Sequence, residues 1–243
     1  MRGILLVDKP VGISSAQVTA IVKHLSGSPR VGHGGTLDPF ASGLLPVLVG
    51  REFTREADRL LFGDKAYRVT LRLGSETDTC DLTGHVVALG RSPLPGPDEV
   101  REVIRGFVGE LLQEPPIYSA LKKAGRPLYW YARHGEHVDL QARKVQVHSI
   151  VLVEMIPPDV VLDVRCGKGA YMRSLGRDIG RALGCLGHLL ALRRTQVGPY
   201  RVEDAVPLWR IRAGGSEEVL RRLLDRLATP EDESPKGASS RGT

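Results

Sequence analysis

The sequence has few cysteines, few aromatic residues and no long apolar run, and each shortage excludes a class of protein. Cys80, Cys166 and Cys185 are scattered, and none belongs to a CxxC pair. A disulfide framework and a zinc ribbon are therefore excluded, and a reducing compartment is expected. The apolar run Gly3 to Val7 is too short for a signal peptide or a membrane span, which predicts a cytoplasmic protein with no membrane partner.

Several common catalytic signatures are also missing. The chain has no GxxxxGK[ST] phosphate-binding loop, no HExxH metalloprotease motif and no GxSxG nucleophile motif. His134 and His137 lie three residues apart, but no cysteine or carboxylate cluster accompanies them, so a metal site is not expected there. The hydrophobic fraction of 42% and the charged fraction of 26% are those of an ordinary globular protein.

What the chain has in excess is positive charge. Its formal net charge is +6 and its pI is about 9.4. Lysine and arginine are concentrated over residues 119–149, and Tyr129, Trp130 and Tyr131 lie within that stretch. A basic surface of this kind favours a polyanionic partner, with nucleic acid more probable than an anionic membrane.

Apolar patterning predicts a mixture of strands and helices. Strands are predicted over residues 3–8, 66–73, 85–89 and 160–166. Helices are predicted after a cap at Ser14 or Ser15, over 100–112, over 170–183 and over 216–227. Short half-buried strands mixed irregularly with helices are typical of an α+β fold with a mixed, largely antiparallel sheet, rather than a doubly wound parallel sheet.

The helix predicted over 170–183 has two distinct faces. Met172, Leu175, Ile179 and Leu183 form its apolar face. Arg173, Arg177 and Arg181 recur every four residues on another face, and we interpret Arg177 and Arg181 as a solvated surface.

One acid, Asp38, lies in the glycine-rich segment VGHGGTLDPFASGLLPV, and residues 27–43 are interpreted as a long loop. A loop of this length inside a compact domain is usually functional. A lone aspartate in such a loop is also a common turn former or helix cap, so the pattern alone leaves both interpretations open.

The segment GHGGTLDPFASGLLPV resembles the catalytic motif of the tRNA pseudouridine synthase B family, GHxGxLDPxAxGxLPV. Further segments resemble that family's motifs in the expected order: DKPVGISS, KAYRVTLRLGSETDTCDLTG, QEPPIYSALKKAGRPLYWYARHGEHV, GKGAYMRSLGRDIG and LRRTQVGPY. The resemblance extends from Gly3 to about Tyr200.

The resemblance implies a pseudouridine-synthase-like fold and an enzyme that isomerises one uridine in the T-arm loop of tRNA. The uracil is cut from its ribose at nitrogen, rotated and rejoined through carbon. Because the detached base is both leaving group and incoming group, the family's reaction implies no cofactor and no metal. It needs an ionised carboxylate held beside the sugar and the base.

By the family's pattern, Asp38 is that carboxylate and Arg173 is the arginine that pairs with it. Such a carboxylate can attack the sugar, add to the ring or remove a proton. Tyr67 matches the tyrosine that stacks on the extruded uracil, although a core position would also explain it. His33 matches the histidine beside the emptied position in the RNA loop. The resemblance also implies a uracil pocket lined by Asp81, Tyr171 and Leu192.

Phosphate contacts and support for the RNA-binding loop are expected from Lys9, Lys122, Lys123, Arg126, Arg143 and Lys144. The implied partner is tRNA, with no obligate protein partner and a monomeric enzyme. Relatives usually have a substantial C-terminal RNA-binding domain, whereas about 43 residues follow Tyr200 here. We therefore predict a catalytic domain over 1–200, a short helical segment over 201–228 and a disordered tail over 229–243.

Two alternatives to this function remain open. One is a non-catalytic RNA-binding or tRNA-folding module on the same scaffold, although the motif residues Asp38, Tyr67 and Arg173 speak against it. The other is a pseudouridine synthase that acts on another RNA, such as a guide-directed or ribosomal substrate. Relatives of that kind usually have extra domains or basic extensions.

Overall fold

The computed structural model describes residues 2–55, 63–119, 122–123, 126–127, 130–131, 134, 136 and 140–213. The helix predicted over 216–227 and the tail predicted over 229–243 lie outside the described residues. No helix among the described ranges is long and apolar enough to cross a membrane.

Helices and strands are numbered in chain order among the described residues. The helices are α1 Ser15–Ser26, α2 Arg51–Arg55, α3 Pro97–Arg105, α4 Met172–Ala182 and α5 Leu208–Ala213, with a 3-10 turn at Val202–Asp204. The strands of the first half are β1 Gly3–Lys9, β2 Val31–His33, β3 Ser42–Val49, β4 Lys65–Leu73, β5 Ser75–Thr77, β6 Val86–Leu89 and β7 Gly109–Gln113. The strands of the second half are β8 Lys122–Lys123, β9 Arg126–Pro127, β10 Arg143–Ile156, β11 Asp159–Cys166, β12 Gly187–Val197, β13 Tyr200–Arg201 and β14 Val206–Pro207.

A ten-stranded sheet organises the described part of the chain, in the order β14-β1-β3-β12-β4-β11-β10-β7, with β2 added to β3 and β13 added to β12. Its β1–β14 and β3–β12 pairs are parallel, and its other pairs are antiparallel. The prediction of an α+β fold with a largely antiparallel sheet is confirmed.

Helices cover the two halves of this sheet. In the first half, α1 and α5 bury Val18, Val22 and Ile211 against β1 and β3. In the second half, α4 buries its apolar face against β4, β11 and β12, and α3 adds Val100 and Ile104 to the same core. Since burial of one such side chain stabilises the fold by about 1.5–3 kcal/mol, these clusters hold the sheet and its helices together.

Several local predictions are confirmed. Ser14 caps α1 in a capping box with Gln17, in which each residue's side chain bonds the other's backbone. The alternation in β4 places Tyr67, Val69, Leu71 and Leu73 on the buried face. The apolar face of α4 is buried as its spacing predicts, and the short strand near 85–89 is present as β6.

The prediction of a helix over 100–112 is wrong beyond Arg105. Gly106 ends α3, and Gly109, with φ of 117°, begins strand β7, which pairs with β10. Leu112 therefore lies on a strand and is 73% exposed instead of being buried on a helix face. The two glycines break the helix where apolar spacing alone continues it.

Three further predictions need correction. The loop interpreted over 27–43 contains the strand β2, and its last two residues already belong to β3. The long strands β10 and β12 were not predicted as strands. Arg177 is not solvated, because its side chain is only 10% exposed and its Nε lies 2.9 Å from Asp178 Oδ1. Arg181, at 53% side-chain exposure, does lie at the surface, as predicted.

The two halves of the sheet meet where β3 and β12 pair in parallel, at Ser42–Arg193 and Gly43–Arg194. Gly43 has a φ of +101°, and a Cβ built there would lie 2.2 Å from the carbonyl oxygen of Arg194. A residue with a side chain therefore cannot occupy position 43 unless the two strands separate.

Gly43→Ala should lower stability by more than the cost of its backbone conformation alone, which is about 1–3 kcal/mol. The reason is that the strands must also separate to admit the new methyl group. Gly27→Ala is the matched control, because Gly27 also has a positive φ, +62°, but a Cβ there meets nothing within 4 Å. Chemical denaturation measures both losses, and equal losses would show that the sheet junction accommodates the methyl group.

Candidate active site

Asp38 lies in the loop that leads into β3, at the junction of the two halves of the sheet. Its neighbours Leu37, Phe40 and Ala41 are buried in the larger core cluster. The side chain of Asp38 itself is 34% exposed. The loop is therefore fixed in the core while the carboxylate can still be reached from outside.

The N-terminal segment holds the loop on both sides of Asp38. The Ser15 hydroxyl accepts from the Leu37 amide at 2.8 Å and donates to the Leu37 carbonyl at 3.0 Å. The Gly12 amide donates to the Pro39 carbonyl at 2.7 Å. These bonds fix the residue before Asp38 and the residue after it, so the carboxylate has little freedom to move.

Lys9 is fully buried beneath this loop. Its ammonium donates to the carbonyls of Ile13 at 2.7 Å, Pro10 at 3.0 Å and Pro39 at 3.5 Å. Burial lowers the pKa of Lys9 to about 8, and the Asp38 charge partly opposes that shift. Of the two functions predicted for Lys9, support of the loop fits this position, whereas a phosphate contact does not.

Arg173, in the first turn of α4, forms a two-bond fork with Asp38. Its Nε donates to Oδ2 at 2.8 Å and its Nη2 to Oδ1 at 3.2 Å. The arginine side chain is only 5% exposed, and it also donates to the carbonyls of Thr79 at 3.2 Å and Tyr118 at 2.9 Å. A guanidinium held this way fixes the orientation of the carboxylate through two charge-assisted hydrogen bonds.

A second carboxylate, Asp81, lies 3.7 Å from the Nε of Arg173 but differs from Asp38 in its surroundings. It is buried, and its Oδ1 accepts from the Thr79 hydroxyl and from both the amide and the hydroxyl of Thr83. Its hydrogen-bonding capacity is largely used within the protein. Of the two acids beside Arg173, Asp38 is the one that a substrate can approach.

The predicted pocket residues surround this ion pair. Tyr67 and Leu192 belong to the same buried cluster as Leu37 and Phe40, and Tyr171 lies immediately before α4, two residues from Arg173. Burial raises the pKa of Tyr67 to about 12. Burial also raises the pKa of Tyr171, while the Arg143 charge opposes that shift. Leu192 is buried on β12, opposite Val69 of β4.

His33 ends β2 at the edge of the loop. Its Nδ1 is buried and has no hydrogen-bond partner among the described residues. Burial lowers the pKa of His33, and the positive charge of Arg194 lowers it further, so the imidazole is neutral at neutral pH.

The predicted RNA-contact residues are described only in part. Arg143 and Lys144 are exposed at the start of β10, and Lys144 forms an ion pair with Glu110 at 2.8 Å. Lys122, Lys123 and Arg126 lie in the short paired strands β8 and β9. Tyr129 and Arg133, in the same basic stretch, lie outside the described residues.

Sequence reasoning missed the residues that support the site. Gln113 clamps Tyr171, because its Oε1 accepts from the Tyr171 amide at 2.7 Å and its Nε2 donates to the Tyr171 carbonyl at 3.1 Å. Ser15 was considered only as a helix cap, and Arg194 was not considered at all. Each of these side chains bonds backbone atoms, so the types of the residues do not predict the contact.

Comparison with known proteins identifies relatives of the chain. Residues 23–172 match the family model described as TruB family pseudouridylate synthase (N terminal domain). Residues 173–233 match the model described as tRNA pseudouridylate synthase B C-terminal domain. The boundary between the two family models falls inside α4. In the structure, however, β12 pairs with the preceding strands β3 and β4, and α4 packs in the same core.

Curated relatives named tRNA pseudouridine synthase B are similar over most of the chain. The Bordetella avium protein is 48% identical over 210 residues, which are 86% of either chain, so the two chains are nearly equal in length. The Burkholderia mallei protein is 47% identical over 223 residues, which are 92% of this chain and 73% of that one.

Solved structures give similar folds at lower identity. A chain of a Cbf5-Nop10-Gar1 complex is 31% identical with a TM-score of 0.67, covering 91% of this chain and 59% of that chain. A chain of an H/ACA RNP bound to a substrate RNA containing 2'-deoxyuridine is 29% identical with a TM-score of 0.65, covering 91% and 58%. This chain thus spans less than two thirds of the length of those solved chains.

Proposed function

Because the chain belongs to the TruB family of pseudouridylate synthases, we propose that it converts the T-arm loop uridine of tRNA, uridine-55, to pseudouridine. The observation that supports this most directly is the Asp38–Arg173 fork. It supplies an ionised carboxylate that is held at both oxygens and is still 34% exposed.

The target base must leave the RNA loop before it can reach Asp38. Extruding a stacked base costs a few kcal/mol, and the protein offsets this by offering the base a stacking surface. Tyr67 suits that purpose because its ring is fixed on a central strand. Its phenol remains protonated at neutral pH, since its pKa is raised to about 12, so Tyr67 acts by stacking and hydrogen bonding rather than as a base.

The remaining pocket residues position the base and the RNA around it. Leu192 supplies an apolar wall, and Tyr171 is held at the start of α4 by Gln113. Neutral His33 occupies the position left by the extruded nucleotide. Asp38 then performs the step that breaks the bond between sugar and base, by attack on the sugar, by addition to the ring or by removal of a proton.

A direct test uses a T-arm stem-loop and a whole tRNA transcript, each tritiated at the uracil carbon that forms the new bond to ribose. That carbon loses its hydrogen when pseudouridine forms, so tritium release reports turnover. We expect release from both RNAs and modification at the T-arm loop. If modification appears only when a guide RNA is added, or not at all, the proposed function is wrong.

The tRNA interface is proposed to include the exposed start of β10. Arg143 lies opposite Gln113 in the β10–β7 ladder, and Gln113 bonds Tyr171, so Arg143 is proposed to border the pocket. Lys122, Lys123, Arg126 and Lys144 belong to the same proposed surface. The enzyme is proposed to act as a monomer in the cytoplasm, a reducing compartment that suits its buried free cysteines.

The proposed domain organisation is a catalytic domain over 1–200, a helical segment over 201–228 and a tail over 229–243. The position of β12 in the middle of the sheet requires the catalytic domain to extend at least to Val197, and β14 and α5 beyond residue 200 add to the same sheet and core.

Binding of the T-arm stem-loop should weaken steeply as salt rises, because phosphate contacts release counterions. The slope of log K against log salt should be about −0.7 to −0.9 for each phosphate neutralised. Arg143→Ala should make the slope shallower by about one such increment. Arg68→Ala is the control, since Arg68 pairs with Asp163 on the other face of β4. Equal slopes for the wild type and Arg143→Ala would show that Arg143 is not part of the tRNA interface.

A further inference from the structure

Arg194 is the least expected charged residue in the core. It lies on β12, is 1% exposed, and has no carboxylate partner among the described residues. Removing a guanidinium from water is costly unless its donors find acceptors, and an aliphatic side chain would fill the same space without that cost. The hydrogen bonds of Arg194 should therefore explain why an arginine is buried at this position.

Its donors reach the backbone at both ends of the Asp38 loop. Nη2 donates to the Gly35 carbonyl at 3.0 Å, and Nη1 to the Thr36 carbonyl at 3.4 Å. Nε donates to the Leu44 carbonyl at 2.8 Å. One rigid, planar group thus ties the beginning of the loop to the strand that follows it, with Asp38 in between.

The same guanidinium also lies beside Tyr67. Arg194 and Tyr67 are opposite each other in the β12–β4 ladder, and the Arg194 charge lowers the pKa of the phenol against the larger effect of burial. Arg194 therefore bonds the loop that presents the carboxylate and lies beside the ring proposed to receive the base. The close approach of β12 at Gly43 allows one side chain to reach both.

We propose that Arg194 is a positioning residue that fixes the Asp38 carboxylate relative to the ring of Tyr67 and thereby sets the rate of the chemical step. This inference rests on the proposed function, since it concerns the same site. Arg194 touches neither the carboxylate of Asp38 nor any group that reacts. It acts through the loop backbone and the phenol.

The test compares Arg194→Lys with Arg193→Lys. Lysine keeps the charge but cannot bond the carbonyls of Gly35, Thr36 and Leu44 from one plane. The neighbouring Arg193 also forms a fork, with Asp8 at 3.0 and 2.8 Å, but its side chain is 42% exposed and it bonds no atom of the Asp38 loop. Any general effect of the same substitution on β12 should therefore appear in both variants.

We expect kcat of Arg194→Lys on the T-arm stem-loop to fall by about 100-fold, the usual consequence of a misplacement near 1 Å. RNA affinity should stay within about threefold, and Arg193→Lys should keep the wild-type kcat. Adding methylguanidinium to Arg194→Ala should restore part of the lost kcat. All rates are measured below the melting transition of each variant. A folded Arg194→Lys with wild-type kcat, or an equal loss in both lysine variants, would overturn the inference.

Hydrogen exchange of the wild-type protein gives a second measurement that does not depend on any variant folding. The Leu37 amide, which donates to the Ser15 hydroxyl, and the Ala41 amide, which donates to the Asp38 carbonyl, should exchange as slowly as those of β12. Fast exchange at Leu37 and Ala41 beside a protected β12 would show that Arg194 does not restrain the loop. The two experiments fail independently. A wild-type protein that releases no tritium would contradict the proposed function, but slow exchange of the loop amides would still support restraint of the Asp38 loop by Arg194.

Discussion

Asp38→Asn should abolish pseudouridine formation while the protein still folds and still binds the T-arm stem-loop. The amide keeps the size of the side chain but loses the charge and the nucleophilicity. A catalytic carboxylate supplies several kcal/mol of barrier lowering, and each 1.36 kcal/mol corresponds to about tenfold in rate. Because the Asp38 side chain is 34% exposed, its replacement should disturb the fold much less than the reaction.

The control for this variant is Asp163→Asn. Asp163 also accepts two bonds from one arginine, with Arg68 Nε at 2.8 Å and Nη2 at 2.7 Å, but its fork lies on the outer face of the sheet. Both variants therefore lose the same kind of ion pair. Tritium release should disappear only in Asp38→Asn, and a rate within tenfold of the wild type would show that Asp38 is not the catalytic carboxylate.

The sequence predicts best where one property decides the structure. Alternation places Tyr67 on the buried face of β4, and helical spacing places Met172 and Ile179 on the buried face of α4, as the structure confirms. The error at Leu112 has a local cause. Gly106 ends α3 and Gly109 begins β7, whereas the apolar spacing continues past both glycines. In β12, register shifts at Leu189/Ala191 and Arg194/Gln196 interrupt the alternation by which a strand is recognised.

Alternation and helical spacing predict less of the candidate site than of the fold. Asp38 and Arg173 are separated by 135 positions, so their pairing followed from the family resemblance and not from the residues themselves. The buried side chain of Arg177 shows the same limit, because a stripe of arginines four apart does not reveal which of them is buried. Ser15, Gln113 and Arg194 bond to backbone atoms. Because every residue has a backbone, the sequence does not show which segment such a side chain will contact.

Arg173→Lys should be the second most damaging substitution. The lysine keeps a positive charge, but one ammonium cannot bond both oxygens of Asp38 and also the carbonyls of Thr79 and Tyr118. Asp38 then loses its fixed orientation, and buried carbonyls lose their donors. We expect kcat to fall by about 100-fold, as for other misplaced catalytic groups, together with a lower melting temperature, because the side chain is only 5% exposed.

Arg181→Lys provides the matched control for this variant. Arg181 lies two turns further along α4 and forms a fork with Glu76 at 2.8 and 2.6 Å, but its side chain is 53% exposed. The same substitution there should leave kcat unchanged, because Arg181 bonds no atom of Asp38. Stability should fall less than in Arg173→Lys, because the half-exposed Arg181 bonds a single carboxylate and no backbone carbonyl. Equal losses in the two variants would mean that the helix, and not the ion pair, is what the substitution disturbs.

A double-mutant cycle on unfolding free energy decides whether Arg173 acts through Asp38. If the fork is the main contact, Arg173→Lys should cost less stability in an Asp38→Asn background than in the wild type, because the partner carboxylate is already lost. Residues in direct contact usually show interaction energies of about 0.5–3 kcal/mol in such cycles. Additive losses would mean that Arg173 serves mainly to bond the carbonyls of Thr79 and Tyr118, and that another contact fixes the orientation of Asp38.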